Sequence, residues 1–336
     1  MPRQKQPTIC IYHSWSDFTD YTKKIFGKLS FTHYLKPLSP SNFNPETEIL
    51  VVFVDSLVSA NIIEKLPKLR LIVTMSTGYD HIDQTAAKKR GILLANVPTY
   101  GENTVAEHTF ALILGLTRKL FESIKRVKEG RYDFAGLRGI DLKNKTLGII
   151  GTGHIGANVA RIAQGFEMNV IAYDVKKNLK LAKKIGFTYT TLNRLLKKSD
   201  VITLHAPLFP STYHLINKKN INDIQQGSLL INTSRGGLVD PEALLSALNS
   251  GRLAGAGLDV LEDEHLLQDV EEVMHSHNKN RALHTSYINN LLIDHPKTII
   301  TPHNAFNSTE ALQRIITTTV ENISKFLAGK PQNIVF

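Results

Sequence analysis

Residues 145–174, KTLGIIGTGHIGANVARIAQGFEMNVIAYD, confine the chain to a narrow set of folds. Apolar Leu147, Ile149 and Ile150 predict a short buried strand, Gly151, Gly153 and Gly156 form a GxGxxG turn, a helical pattern follows, and a second strand ends at Asp174. Each piece has a physical task. The first glycine permits a tight turn, the second lets the backbone approach a pyrophosphate, and the third lets helix and strand pack closely. Phosphate charge then rests on the free amides at the helix start. A carboxylate at the end of the second strand accepts hydrogen bonds from the ribose hydroxyls of NAD and repels the extra phosphate of NADP. Lys176 and Lys177 follow directly and soften that repulsion.

The first hundred residues alternate apolar runs (PTICIYH, EILVVFVD, LRLIVTMS, ILLANV) with helical ones, the pattern of a parallel sheet covered on both faces. From Asn103, read as a capping residue, NTVAEHTFALILGLTRKLFESIKRVKEG predicts one helix of more than six turns joining two domains. Alternation resumes after the glycine turn with VIAYD, DVITLHAP, SLLINTS and AGAGLDV as strands and NKKNINDI and DPEALLSALNSG as helices. The last run, STEALQRIITTTVENISKFLAGK, is an amphipathic helix with no sheet of its own, expected to pack on the first domain or beside the long connecting helix. The expected organisation is a discontinuous outer domain, 1–102 plus 303–336, around a continuous cofactor domain, 103–302, with a small ligand held between them.

At 336 residues the chain can bury two cores, and 42% hydrophobic residues suit a globular protein. No apolar run reaches membrane-spanning length and the N-terminus lacks a secretory apolar region, so the expectation is a cytoplasmic protein without membrane association. Cys10 is the single cysteine, in keeping with a reducing compartment. The formal charge of +10 is scattered over amphipathic segments without aromatic interleaving, which reads as a solvated basic surface rather than a nucleic-acid site.

A dinucleotide site suits hydride transfer, which needs a cation to hold and polarise an oxo acid and a proton donor for its carbonyl oxygen. Three segments offer such groups at predicted strand ends, where open parallel sheets bind ligands. LLINTSRGGLVD places Arg235 just past its strand, and a guanidinium clamps a carboxylate through two parallel hydrogen bonds. AGAGLDVLEDEH places Asp259 at a strand end with Glu262, Asp263 and Glu264 beyond it. KTIITPHNAF places His303 after the final strand, where a neighbouring carboxylate favours the protonated ring. Taken singly, the arginine reads as well as a surface turn, the acids read as a solvated loop and the histidine as structural; beside a dinucleotide site the three point to one centre.

The stretches GTGHIG at 151–156, HAPL at 205–208, NTSRGGLVD at 232–240, GLDVLEDE at 257–264 and TPHNAF at 301–306 resemble the motifs of the D-isomer-specific 2-hydroxyacid dehydrogenases, and the resemblance covers nearly the whole chain. It implies an α/β protein of two doubly wound parallel-sheet domains, a Rossmann cofactor domain and a flavodoxin-like discontinuous substrate domain. It also implies the catalytic trio Arg235, Glu264 and His303, and substrate-carboxylate binding by the STGYD loop through Thr77 and Gly78. Within the family the likeness is greatest to the D-lactate dehydrogenase branch, which implies Tyr100 at the substrate carboxylate and Phe306 walling a methyl-sized pocket. Carried over likewise are NAD contacts at Gly151, Gly153, His154, Ile155 and Gly156, at Asp174, and at Ala206, Pro207, Thr212, Thr233 and Asp259. The implied reaction is NAD-dependent reduction of pyruvate to D-lactate and its reverse.

His265 stands where many members have proline, so Glu262 competes with Glu264 for the acid role, although spacing favours Glu264. The interval from Glu264 to His303 is long, and 265–290 reads as a surface excursion. His275 and His277 lack the partners of a metal site, so no metal is expected. Rival readings are a reductase of glyoxylate, hydroxypyruvate or a bulkier 2-oxo acid and, in another class, an NAD-sensing co-repressor-like binding protein. A homodimer is expected from family likeness and from apolar Phe110, Leu112, Ile113, Leu116 and Leu120 on the long helix.

Overall fold

Strands of a parallel sheet are covered on both faces, so they are apolar along most of their length. Ile9–Tyr12 (β1), Ile49–Val52 (β3) and Leu71–Thr74 (β4) follow that pattern, each buried at every position. The computed structural model describes residues 7–13, 15, 19–27, 29–267 and 279–336. It divides into two units, one running to Tyr100 and rejoined by Ser308–Phe336, the other Gly101–Asn307. His303 and Phe306 therefore belong to the second unit.

In the first unit Phe31–Tyr34 (β2) and Leu93–Ala95 (β5) complete a five-stranded parallel sheet of order β2-β1-β3-β4-β5. This is the flavodoxin-like doubly wound order. The C-terminal helix Thr309–Leu327 packs against β4 and the helix Thr19–Phe26, as the sequence suggested. The chain beyond it does join the sheet, because Ile334 forms an antiparallel bridge with Ala95 and Val335 donates to Leu94 O.

The second unit holds Thr146–Ile150 (β6), Asn169–Tyr173 (β7), Thr188–Tyr189 (β8), Val201–Leu204 (β9), Ser228–Asn232 (β10), Leu253–Leu258 (β11) and Thr298–Ile300 (β12). Their order is β12-β11-β10-β9-β6-β7-β8, all parallel, with the reversal at β6/β9 that marks a Rossmann sheet. Successive residues face opposite layers. Ile202, Leu204 and Leu230 join Leu195, Leu244 and Leu292 on one side; Ile149, Val201 and Ile231 join Phe110, Ile113 and Val159 on the other. The expected fold class, two doubly wound parallel-sheet domains, is borne out.

Five local expectations are corrected. The long helix is two, Glu102–Thr117 and Leu120–Lys128, separated by Lys119 at φ +47°. Its N-cap is Gly101, not Asn103, and Phe110, Leu112 and Ile113 are buried within their own unit rather than offered to a partner. The segment NKKNINDI yields only the 3-10 turn Ile221–Asp223. Within 265–290, residues from Lys279 open the helix Lys279–Ile293, whose Ile288 and Leu292 enter the core, so that part is no surface excursion. His275 and His277 lie outside the described residues. Among those residues no cluster of metal-ligating side chains occurs and no helix is long and apolar enough to cross a membrane.

Candidate active site

Parallel register aligns the ends of β10, β11 and β12, with Asn232 beside Leu258 and Leu258 beside Ile300. Arg235, Glu264 and His303 all follow within a few residues, at one edge of one sheet. His303 Nδ1 and Glu264 Oε1 are 2.5 Å apart. The other carboxylate oxygen of Glu264 accepts from Leu261 N at 3.1 Å, so the acid is fixed at both ends. Glu262 is elsewhere: its buried carboxylate meets Tyr213, His214 and Arg281. Geometry thus brings Glu264, not Glu262, to the imidazole.

His303 sits at φ +49°, a strained left-handed conformation for a residue with a Cβ. Asp259 holds it there. The carbonyl of Asp259 accepts from His303 N at 2.8 Å, and its carboxylate accepts from Thr301 Oγ1 (2.5 Å), Asn304 N (3.0 Å) and Ala305 N (2.9 Å). Such local bonding offsets the strain of the turn. The structure therefore gives the buried Asp259 carboxylate a role in shaping the histidine loop, which the sequence reading did not foresee. His108 Nε2 lies 3.1 Å from Thr301 Oγ1 and 3.6 Å from Asp259 Oδ1, a second unanticipated neighbour.

The Arg235 loop is brought in by backbone packing. A Cβ on Gly236 would lie 2.0 Å from Leu261 C and 2.3 Å from Glu262 N, so the arginine loop lies directly on the loop leading to Glu264. Arg235 Nη1 donates to Ser234 O at 2.8 Å, and Asn232 Nδ2 bonds the Arg235 carbonyl. Thr233 Oγ1 pairs with Thr109 Oγ1 at 2.9 Å, and Ser234 Oγ donates to Ala206 O, tying this loop to the one after β9. In that loop Pro207 is exposed, and the Thr212 hydroxyl bridges Pro207 O and Phe209 N.

At the glycine turn, Gly151 has φ +93° and no room for a Cβ beside His205 and Ala206, and a Cβ on Gly156 would strike Gly151 O at 2.0 Å. Gly153 differs: a Cβ there would meet nothing within 4 Å, and it caps the helix His154–Gly165 without a side-chain bond. Backbone amides at that helix start are therefore presented to an anion. His154 is exposed, 3.3 Å from Glu102 Oε1, and Ile155 is half-buried. Asp174 Oδ2 accepts from Thr152 N (2.7 Å) and Thr152 Oγ1 (2.9 Å), and Oδ1 from Lys176 N (2.8 Å). Burial alone would raise its pKa, but these bonds together hold it below the usual carboxylate value, so it stays charged. Tyr189 OH, 2.7 Å from Thr152 Oγ1, completes a support that GxGxxG does not reveal.

In the first unit the loops after β4 and β5 are joined. Thr77 Oγ1 donates to Val97 O at 2.9 Å and Asn96 Nδ2 to Thr77 O at 2.9 Å, so the Thr77–Gly78 loop is fastened to the segment that leads to Tyr100. Ser76 Oγ donates to Gly78 O, and Arg314 Nε to Tyr100 O at 2.8 Å.

A family model described as "D-isomer specific 2-hydroxyacid dehydrogenase, NAD binding domain" matches residues 110–305, more than half of the chain. The chain belongs to the D-isomer-specific 2-hydroxyacid dehydrogenases. A 2-hydroxyacid dehydrogenase homolog of Zymomonas mobilis is 38% identical over 291 residues, 85% of each chain. Among solved structures, one reported for the pyruvate reductase of Chlamydomonas reinhardtii superposes with TM-score 0.84 at 36% identity, covering 97% of this chain and 98% of that one. A D-lactate dehydrogenase from Aquifex aeolicus, complexed with NAD and lactic acid, gives 0.83 at 36% identity over 96% of both. The cofactor of this dehydrogenase is NAD. The residues fit it: the open backbone at Gly153 and the uncapped helix start suit a pyrophosphate, and the charged Asp174 suits a ribose diol.

Proposed function

We propose that this dehydrogenase reduces a small 2-oxo acid, pyruvate foremost, to the D-2-hydroxy acid, D-lactate, and catalyses the reverse. The observation that carries this reading is the 2.5 Å bond between His303 Nδ1 and Glu264, set at the same sheet edge as Arg235. When bound, NADH supplies the hydride. Arg235 holds the substrate carboxylate and polarises the carbonyl, with Thr77, Gly78 and Tyr100 as further carboxylate anchors and Phe306 limiting the side chain to methyl size. Glu264 fixes the imidazole through Nδ1, and His303 gives the proton from Nε2 to the carbonyl oxygen. In the reverse direction neutral His303 takes the hydroxyl proton. Gly151, Gly153, His154, Ile155, Gly156, Asp174, Ala206, Pro207, Thr212, Thr233 and Asp259 form the nucleotide site.

The test is NADH consumption with a panel of 2-oxo acids, followed by chiral separation of the product. Pyruvate should be turned over with D-lactate as product; an L-product, or no consumption with any 2-oxo acid, refutes the reading. A homodimer is supported by the exposed apolar side chains Leu120, Phe121, Ile124 and Val127 on the second half of the broken helix, with Tyr132 and Phe134 just beyond. Light scattering of the eluting protein at the monomer mass would remove it.

A further inference from the structure

Glu262 has no part in the reading above, yet its carboxylate is 7% exposed, and burying such a group is unfavourable unless it is fully partnered. Its partners come from separate segments. Tyr213 OH donates to Oε1 at 2.5 Å, His214 Nε2 lies 2.8 Å from Oε2, and Arg281 Nη2 reaches Oε1 at 3.1 Å. Asn289 Nδ2 donates to the Glu262 carbonyl at 2.8 Å, so the helix Lys279–Ile293 grips this residue twice. Tyr213 and His214 stack at 3.9 Å at the end of the loop 206–214, and Arg281 also donates to Tyr213 OH at 2.7 Å. The backbone of Glu262 lies against Gly236, beside Arg235, while its neighbour Leu261 bonds the second oxygen of Glu264.

We propose that Glu262 is a positioning residue that locks the loop carrying Glu264 and the nucleotide loop 206–214 into one register, an inference that rests on the dehydrogenase reading. Its carboxylate meets Tyr213, His214 and Arg281. It acts by joining the acid's loop, the arginine's loop and the Pro207–Thr212 segment at one buried point, with the helix Lys279–Ile293 as the outer clamp. Burial and the bond to Glu262 push the Tyr213 hydroxyl up to about 12, which keeps it a donor throughout the working pH range.

The experiment uses the full chain. Glu262→Gln, Arg281→Met, Glu264→Gln and the double variant Glu262→Gln/Glu264→Gln are compared for NADH affinity by fluorescence and for kcat and KM with pyruvate. Displacing a catalytic loop by about an ångström costs roughly 100-fold. Glu262→Gln should lower kcat by about 10- to 100-fold and weaken NADH binding in step, and Arg281→Met should shift both in the same direction by less. Because Glu262 acts in part through Glu264, its substitution should cost clearly less in kcat once Glu264 is gone than it does in the wild-type background, the non-additivity expected of coupled residues. Multiplicative losses in the double variant, or wild-type kcat and NADH affinity in folded Glu262→Gln, overturn the proposal. If Glu262→Gln does not fold, wild-type constants for Arg281→Met overturn it. A wild-type protein inert toward every 2-oxo acid refutes the dehydrogenase reading separately; NADH affinity in the two hub variants then decides, and unchanged affinity overturns the positioning role.

Discussion

Replacing Gly236 with alanine tests whether backbone packing sets the distance between the arginine and acid loops. The added Cβ would lie 2.0 Å from Leu261 C, 2.1 Å from Leu261 O and 2.3 Å from Glu262 N, all backbone atoms that cannot swing aside. Ordinary contact begins at 3.4 Å, so the two loops must part by more than about 1 Å. A shift of that size at a reacting centre costs on the order of 100-fold in turnover, whereas the nucleotide turn at Gly151–Gly156 is untouched. Gly236→Ala should therefore lower kcat with pyruvate by about two orders of magnitude and weaken NADH binding only through the loop 206–214 that Glu262 holds. Gly165→Ala, whose Cβ meets nothing within 4 Å, serves as the control and should leave both unchanged. Steady-state kinetics and NADH fluorescence titration read the result. A Gly236→Ala enzyme with wild-type kcat, its melting temperature intact, would show that the close approach does not position Arg235.

Three further predictions concern single groups. His303→Gln should reduce kcat by about 10²- to 10⁴-fold, as expected for loss of a general acid, with circular dichroism unchanged; residual activity within tenfold of wild type contradicts the role. Asp174→Ser should raise the KM for NADH by more than about tenfold and narrow the preference over NADPH; an unaltered NADH-to-NADPH ratio speaks against the ribose contact. Acidification should act through His205, whose Nδ1 is buried without a hydrogen-bond partner and whose pKa burial lowers from 6.5 to about 3. Below pH 6.5 the unfolded chain takes up a proton that the folded chain refuses, so stability falls as pH drops through that window and is unaffected above it. At about 1.4 kcal/mol per pH unit, this histidine accounts for about 2 kcal/mol between pH 6.5 and 5. Urea denaturation of wild type and His205→Gln at pH 7.5 and 5 checks it, and equal acid losses in both would exclude His205 as the source.

The parts of the molecule legible in sequence are those where one local requirement dominates. Apolar runs gave the buried strands because both faces of a parallel sheet are covered, and GTGHIG gave the nucleotide turn because each glycine meets a separate steric demand. The half-exposed edge strand Phe31–Tyr34 and the two-residue strand Thr188–Tyr189 lack such a run and were not foreseen. The run NKKNINDI has helical spacing, but the Asn217 and Asn220 side chains bond nearby backbone at Lys219 N and Asn217 N and at the carbonyls of His214 and Leu215, leaving only a short turn. The long helix breaks where Phe121 folds back onto Gly115 and Ile140 N bonds Thr117 O, contacts that periodicity alone does not encode.

The same division runs through the candidate site. Motif spacing found Arg235, Glu264 and His303 because each sits a few residues past a strand end, where ligands of such sheets are met. Spacing left Glu262 as a rival to Glu264, since two carboxylates on one loop look alike until their neighbours are known. In the fold their partners differ: Glu264 Oε1 meets an imidazole whose ring the Asp259 turn presents, whereas Glu262 meets a phenol, an imidazole and a guanidinium from elements up to 68 residues apart, the span from Tyr213 to Arg281. Asp259, proposed for the nucleotide site, also gives its carboxylate to three donors of the histidine loop. Sequence located the groups suited to the chemistry, and tertiary contacts decide which of them face it and which hold the others in place.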